Sequence, residues 1–425
     1  MKKQRLVVIG NGMAGIRTVE ELLLSAPDQY DITVFGAEPY GNYNRVMLSS
    51  VLSGERSLPE IVTHDRQWYA DHGIRLHAGP SKAVVRIERG LRKVFAQDGT
   101  TAEYDRLLIA TGSKPVVPEI PGTGLDGVIS FRDIFDVNTM LEYSKKHKKA
   151  VVLGGGLLGL EAANGLAVQG MQVTVIHNTD VLLNRQMDRQ AGEMLQAALE
   201  RRGLQFKMAA QVEALIGDDA RHVRAVRFAD GSELECDLFV LAIGVRPNIA
   251  LARQAGLYCE RGIVVNDTLQ SYDPCIYAVG ECIQHRGATF GLVAPLFEQA
   301  KVCANHLSGH GVAEYINLPT STKLKVTGIK LFSVGDIHDD ERHCETIRFN
   351  DPSSGIYKKL VIRENKLRGA VLYEDTGDGN WYQELLEQGT DISGIREQLI
   401  FGQGFIANGR ACGAGGHGPG ATQLN

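Results

Sequence analysis

The strongest constraint on this chain is a short unit that occurs twice. Near the start a β-branched apolar run, Arg5–Ile9, enters Gly10-Asn11-Gly12-Met13-Ala14-Gly15, and a helical pattern continues through Leu24. A second strand pattern, Asp31–Phe35, follows and ends near Glu38. Strand, GxGxxG turn, helix, strand and acid within about 30 residues is the layout of a dinucleotide-binding βαβ unit. Gly10 permits the tight turn, Gly12 lets the backbone approach a pyrophosphate, and Gly15 lets the helix pack on the sheet. The helix N-terminus then points unsatisfied N–H groups and the positive end of its dipole at the phosphates. Glu38 is placed to accept hydrogen bonds from an adenosine ribose.

The second copy runs from the strand Ala150–Leu153 through Gly154-Gly155-Gly156-Leu157-Leu158-Gly159 to the helix Leu160–Val168 and the strand Gln172–Ile176. One GxGxxG is a weak signal. Two complete units in one chain point to an enzyme that binds two dinucleotides and passes electrons between them. Where an acid would hold the second ribose stands His177, followed by Asn178, with Arg185 the nearest downstream cation. A carboxylate there favours NADH and a basic group favours NADPH, so the nicotinamide preference stays open.

Composition narrows the partners. The net charge of -5 offers no basic excess to neutralise nucleic-acid phosphates. No window approaches the ~18 consecutive apolar residues of a membrane span, and Leu6–Ile9 is too short for a signal-peptide core. A cytoplasmic enzyme is the expectation. The 7 cysteines include no CxC or CxxC pair, which argues against disulfide scaffolds, metal sites and a redox-active disulfide. Metal ligation is not expected.

Three further strand ends carry a small residue or glycine where open α/β sheets bind ligands. They are Ala110-Thr111-Gly112-Ser113 after Tyr104–Ala110, Gly244-Val245-Arg246-Pro247-Asn248 after Leu238–Ile243, and Ala278-Val279-Gly280-Glu281-Cys282 near Tyr277. Residues from about Leu318 to Leu372 alternate like antiparallel strands, and the glycine-rich last 25 residues read as a flexible tail.

The order of these motifs, GxGxxG, Ala110-Thr111-Gly112, GxGxxGxE at 154–161 and Val279-Gly280-Glu281, resembles the pyridine-nucleotide disulfide oxidoreductase superfamily. The resemblance implies an α/β fold of two Rossmann-like domains, an FAD domain with an inserted NAD(P)H domain, plus a small α+β C-terminal interface domain. The corresponding boundaries are 1–118 with 244–317 for FAD, 119–243 for NAD(P)H, 318–400 for the interface domain and 401–425 for the tail. The branches that use cysteine chemistry carry cysteines after the second strand or a CxxC in the NAD(P)H domain. Tyr40-Gly41-Asn42-Tyr43-Asn44-Arg45 has none, so simple electron transfer remains. Ferredoxin and rubredoxin reductases often show YxRxxLSK here, whereas this chain has Ser50 at the lysine position.

The segment Phe35–Ser49, with Gly280-Glu281-Cys282, Gly291–Pro295 and Ser321–Lys325, is most similar to the flavin module of the large subunit of assimilatory NAD(P)H-dependent nitrite reductase. That resemblance implies FAD and NAD(P)H as cofactors. Gly10, Gly12, Gly15 and Glu38 would hold the FAD pyrophosphate and ribose, Arg45, Thr111 and Gly112 would line the flavin, and Gly280 and Glu281 would lie at the ribityl chain or in its phosphate's neighbourhood. Gly154, Gly156 and Gly159 would cradle NAD(P)H, with His177 at its ribose and Glu161 beside the nicotinamide. With only Cys412 in its tail, the chain resembles the electron-input half alone. It would feed a sirohaem or molybdopterin reductase subunit, or a small iron–sulfur protein, and a homodimer is compatible with the fold. Lys323 and Lys325 on the interface domain would steer an acidic partner. The rival readings are a rubredoxin or ferredoxin reductase, and a flavoprotein redox sensor with little turnover.

Overall fold

The computed structural model describes residues 3–318, 321–326, 328–338 and 344–406. These divide into two compact units, one of residues up to Asp180 with Arg202–Leu318, the other of Val181–Arg201 with the described residues from 321 onward.

The first unit holds two parallel five-stranded sheets of one plan. In the first, β1 (Gln4–Ile9) lies between β2 (Tyr30–Gly36) and the strand Arg106–Ile109, flanked by Arg75–Ala78 on one side and Ile276–Ala278 on the other. Helix α1 (Met13–Ser25) crosses from β1 to β2, whose registers pair Ile9 with Phe35. In the second, β3 (Lys149–Leu153) lies between β4 (Gln172–Ile176) and β5 (Leu238–Leu241), with Gln205–Lys207 and Val128–Ser130 at the edges. The strands Leu6–Ile9, Ala150–Val152 and Leu238–Leu241 are buried almost without interruption, as strands covered on both faces must be. In each sheet the chain leaves the first strand toward one side and later returns on the other. The two glycine turns therefore fall at topological switch points, the crevice where such sheets take ligands.

A three-stranded antiparallel meander interrupts each half, Val84–Glu88, Lys93–Ala96 and Thr101–Glu103 in the first, and Val212–Gly217, Val223–Phe228 and Glu233–Glu235 in the second. The two chain crossings between the halves pair with each other as an antiparallel ladder, Ser113–Pro115 on Val245–Pro247.

In the second unit the alternating segment forms a five-stranded antiparallel sheet, in spatial order Thr322–Val326, Ile329–Gly335, Lys366–Tyr373, Ile356–Arg363 and Glu345–Asp351. Phe332, Leu360, Ile362 and Leu372 of this sheet share a core with Tyr382 and Leu385 of the helix Gly379–Gln388. The helix Arg189–Glu200, which the sequence boundaries put inside the NAD(P)H segment, belongs to this unit. Its N-cap Asp188 accepts a hydrogen bond from the Tyr357 hydroxyl at 2.6 Å and lies 3.6 Å from the buried Lys359 ammonium. The reading of 401 onward as a free tail also needs correction. Gln403 N donates to Asp378 at 3.0 Å and Ile406 is buried. Residues 407–425, with Cys412, and the side chains of Lys323 and Lys325 lie outside the described residues.

Candidate functional site

The two glycine turns are built alike. Gly10 and Gly154 have φ of 115 and 127, and a Cβ on either would strike the carbonyl oxygen ending a neighbouring strand segment, Ala110 O at 2.1 Å and Ala242 O at 2.3 Å. A Cβ on Gly15 would stand 2.7 Å from Gly10 O, and one on Gly159 would stand 1.9 Å from Gly154 O. The protein's own packing demands these four. Gly12 and Gly156 differ, because a Cβ on either meets no atom within 4 Å. Both are helix N-caps in extended backbone, for α1 and for α2 (Leu157–Val168), and neither supplies a side-chain cap to the first-turn N–H groups. Open space and uncommitted donors coincide at one point in each half, which is what a pyrophosphate requires. The residues present fit a dinucleotide at both turns.

The walls of the first cradle come from distant segments. Asn42 donates to Asn11 O at 2.9 Å and the Tyr69 hydroxyl donates to Asn11 Oδ1 at 2.6 Å, fixing the turn. Glu38 accepts from the Tyr43 hydroxyl at 2.7 Å and is ion-paired with Arg45, which also donates to Arg132 O at 3.1 Å. Burial raises the Tyr43 hydroxyl far above its ordinary range, so it remains a neutral donor. Thr111 donates to Asn248 O at 2.8 Å and Asn248 N donates to Gly112 O at 2.9 Å. Glu281 accepts from Ser113 at 2.8 Å and pairs with Arg132, while Gly280 N donates to the fully buried Gln299 at 2.8 Å. Arg45, Thr111, Gly112, Gly280 and Glu281 thus belong to one chain of contacts that closes through Arg132.

On the second side, His177 Nδ1 accepts the Gly155 N–H at 3.2 Å, so the imidazole supports the turn through a nitrogen that carries no proton. Glu161 lies on α2 one helical repeat before Gly165, whose missing side chain admits Leu52, the Cβ position being 2.6 Å from Leu52 Cγ. Gln169 continues that face and donates to Leu52 O at 2.8 Å. This face meets the short helix Leu48–Leu52 of the first half, which carries Ser49. Burial pushes the Glu161 carboxyl up to about 7, opposed only by Ser49.

Tyr43, Ser113 and Asn248 entered the sequence reading only as members of their motifs, with no role of their own. Arg132 was missed, its one trace being its position just before Asp133, an acid placed to cap the next helix. The buried thiols Cys282 and Cys303 are pushed up by desolvation, Cys282 to about 11, away from the thiolate form that redox chemistry needs.

Two parallel-sheet modules in one unit, each with its own pyrophosphate cradle, define a two-dinucleotide oxidoreductase. The chain belongs to the pyridine nucleotide-disulphide oxidoreductase family, which matches residues 4–306, and residues 320–390 match the rubredoxin NAD+ reductase C-terminal domain. It is an FAD-dependent NAD(P)H oxidoreductase of that family. It is 46% identical to nitrite reductase [NAD(P)H] of Bacillus subtilis (strain 168), over 92% of this chain and 48% of that protein. It is 44% identical to the assimilatory nitrate reductase electron transfer subunit of the same organism, over 94% of this chain and 51% of that one. The chain spans about half the length of these curated relatives. A covalent putidaredoxin reductase–putidaredoxin complex shares the fold, with a TM-score of 0.84 at 24% identity, covering 97% of this chain and 100% of that one. Among the described residues no helix is long and apolar enough to cross a membrane.

Proposed function

We propose that this chain takes a hydride from NAD(P)H onto FAD and passes the electrons to a nitrite- or nitrate-reducing partner. The carrying observation is the duplicated cradle, open only at Gly12 and Gly156, in a chain 46% and 44% identical to two nitrogen-oxide reductase components. In this reading Gly10, Gly12 and Gly15 hold the FAD pyrophosphate, and Glu38 reaches the adenosine ribose with the lone pairs that Tyr43 and Arg45 leave. Arg45, Thr111 and Gly112 flank the flavin, while Gly280 and Glu281 meet the ribityl chain. Gly154, Gly156 and Gly159 hold NAD(P)H, with His177 near its ribose and Glu161 near its nicotinamide. When bound, the two cofactors supply the hydride chemistry, and the chain contributes placement. The enzyme would act in the cytoplasm, where NAD(P)H is produced.

Reduction of nitrite to ammonia takes several electrons at a metal centre, whereas a flavin hands on at most a pair. The partner is therefore a sirohaem or molybdopterin subunit, or a small iron–sulfur protein that relays to one. The test uses the FAD-loaded chain. NADH oxidation should be fast with ferricyanide and negligible with nitrite, until a reductase subunit is added. Sustained ammonia production from nitrite and NADH by this chain alone would overturn the electron-input reading. The match of residues 320–390 favours a second acceptor, rubredoxin. Rapid rubredoxin reduction together with no coupling to a nitrogen-oxide reductase would select that alternative.

A further inference from the structure

The strand Ile276–Ala278 runs out through Val279-Gly280-Glu281, and one peptide plane in that exit is held at both ends by side chains. The N–H of Gly280 donates to the Gln299 amide oxygen at 2.8 Å. The carbonyl of Val279, the other end of the same plane, accepts from the Cys282 thiol at 3.2 Å. Both side chains are fully buried. Gln299 reaches the turn from the helix Val293–Leu307, and the thiol acts as a donor, in the protonated form that burial favours.

Fold stability does not by itself select glutamine here. The Gln299 amide nitrogen closes no hydrogen bond among the described residues, the Tyr315 phenol being the polar group it influences, and an unmet buried donor is costly. Leucine, of similar volume, would remove that cost and leave the Gly280 N–H unmet instead. Each choice leaves one donor without an acceptor. What differs is its place, on the helix with glutamine and in the turn with leucine. A turn with an unmet N–H has a plane that can rotate, and Gly280, at φ 92, has no side chain to oppose it. That turn lies against the first cradle. A Cβ on Gly280 would stand 3.0 Å from the Cβ of Ala14, in the opening turn of α1, and the next residue, Glu281, is the one held by Ser113 and Arg132.

We propose that Gln299 and Cys282 are positioning residues for the flavin cofactor, together fixing the Val279–Gly280 peptide in one orientation and so aiming Gly280 and Glu281 at the first cradle. Each acts through the backbone, one on the N–H and one on the carbonyl of the same plane. The inference rests on the reading that Gly280 and Glu281 meet FAD.

FAD binding to the full chain, rather than turnover, tests it. With FAD removed and added back, quenching of flavin fluorescence gives the dissociation constant, and visible circular dichroism reports the setting of the bound ring. Gln299→Leu should weaken FAD about tenfold and alter the dichroism, as the loss of one buried hydrogen bond requires. Gln299→Glu, which keeps an acceptor oxygen in either protonation state, should stay within about twofold of the wild type. Cys282→Ala should weaken FAD about threefold, and Cys282→Ser, which keeps a donor, should not. Cys303→Ala, one turn further along the same helix and equally buried, is the packing control and should leave FAD affinity unchanged. Should Gln299→Leu fail to fold, the Cys282 pair decides alone. Equal weakening by Gln299→Leu and Gln299→Glu, or by Cys303→Ala, would mean packing rather than a pinned peptide and would overturn the inference. Glu281→Ala separates the two levels. If it weakens FAD while Gln299→Leu and Cys282→Ala do not, the positioning role alone falls; if it leaves FAD affinity unchanged, the placement of this turn at FAD fails and the inference with it.

Discussion

The six glycines of the two turns do different jobs, and substitution separates them. A Cβ at Gly12 meets no protein atom within 4 Å, so valine there should cost the fold about 1 kcal/mol or less. It fills the space a pyrophosphate needs, so Gly12→Val should purify folded and colourless. Full retention of bound FAD, read from the flavin absorbance, would contradict the cradle. Glu161 predicts a pH-dependent stability. Its carboxyl is held up to about 7 in the folded chain, against about 4.3 when unfolded. Between those values the native state binds more protons than the unfolded state, so stability falls as pH rises through that window. Glu161→Gln should be near neutral at pH 4 and stabilising by roughly 1–3 kcal/mol at pH 8, after allowance for partial exposure. Urea denaturation at the two pH values measures this, and equal effects at both would mean an ordinary carboxyl. At His177 a glutamate would add a ribose acceptor and repel a 2′-phosphate. His177→Glu should raise the NADH over NADPH ratio of kcat/KM about tenfold, and an unchanged ratio would show that this position does not read the ribose. The glycines and Glu38 were legible in sequence because their spacing is local. Arg132–Glu281, Ser113–Glu281 and Gly165–Leu52 were not, because each partner lies more than about a hundred residues away and no periodicity links them.

Elements were readable to the degree that their burial was uniform. The runs at Leu6–Ile9, Ala150–Leu153 and Leu238–Leu241 announce parallel strands covered on both faces, and the alternation after Leu318 announces an antiparallel sheet with distinct faces. The allegiance of the helix Arg189–Glu200 was hidden, because an amphipathic helix states that it packs and not on what. Its link to the C-terminal sheet runs through Asp188, which caps the helix through Ala191 N at 3.2 Å and meets Tyr357 and Lys359. Asp188→Ala should cost about 2 kcal/mol, combining a lost cap with the lost Tyr357 hydrogen bond. Chemical denaturation of the second unit's transition, followed by tryptophan fluorescence, gives the value. A loss under about 0.5 kcal/mol would mean that Asp188 does not tie the helix to the sheet.

For the whole molecule, duplication allows each half to be disabled alone. Gly156→Val, the counterpart of Gly12→Val, should leave a yellow protein that NADH cannot bleach, with FAD retained and nicotinamide excluded. Bleaching at the wild-type rate in a stopped-flow experiment would show that the second turn is not the nicotinamide cradle. The likeness of the turns carries a cost as well. On the proposed reading each would hold a diphosphate through backbone N–H groups, and His177 stands where a carboxylate would inspect the second sugar. A binding surface of that kind would answer to any nucleotide with an adenosine diphosphate in it. ADP, ADP-ribose and spent NAD+ would then compete for the place that NADH must occupy. Throughput would follow the share NADH holds in that crowd, so NADH oxidation should slow as ADP is added.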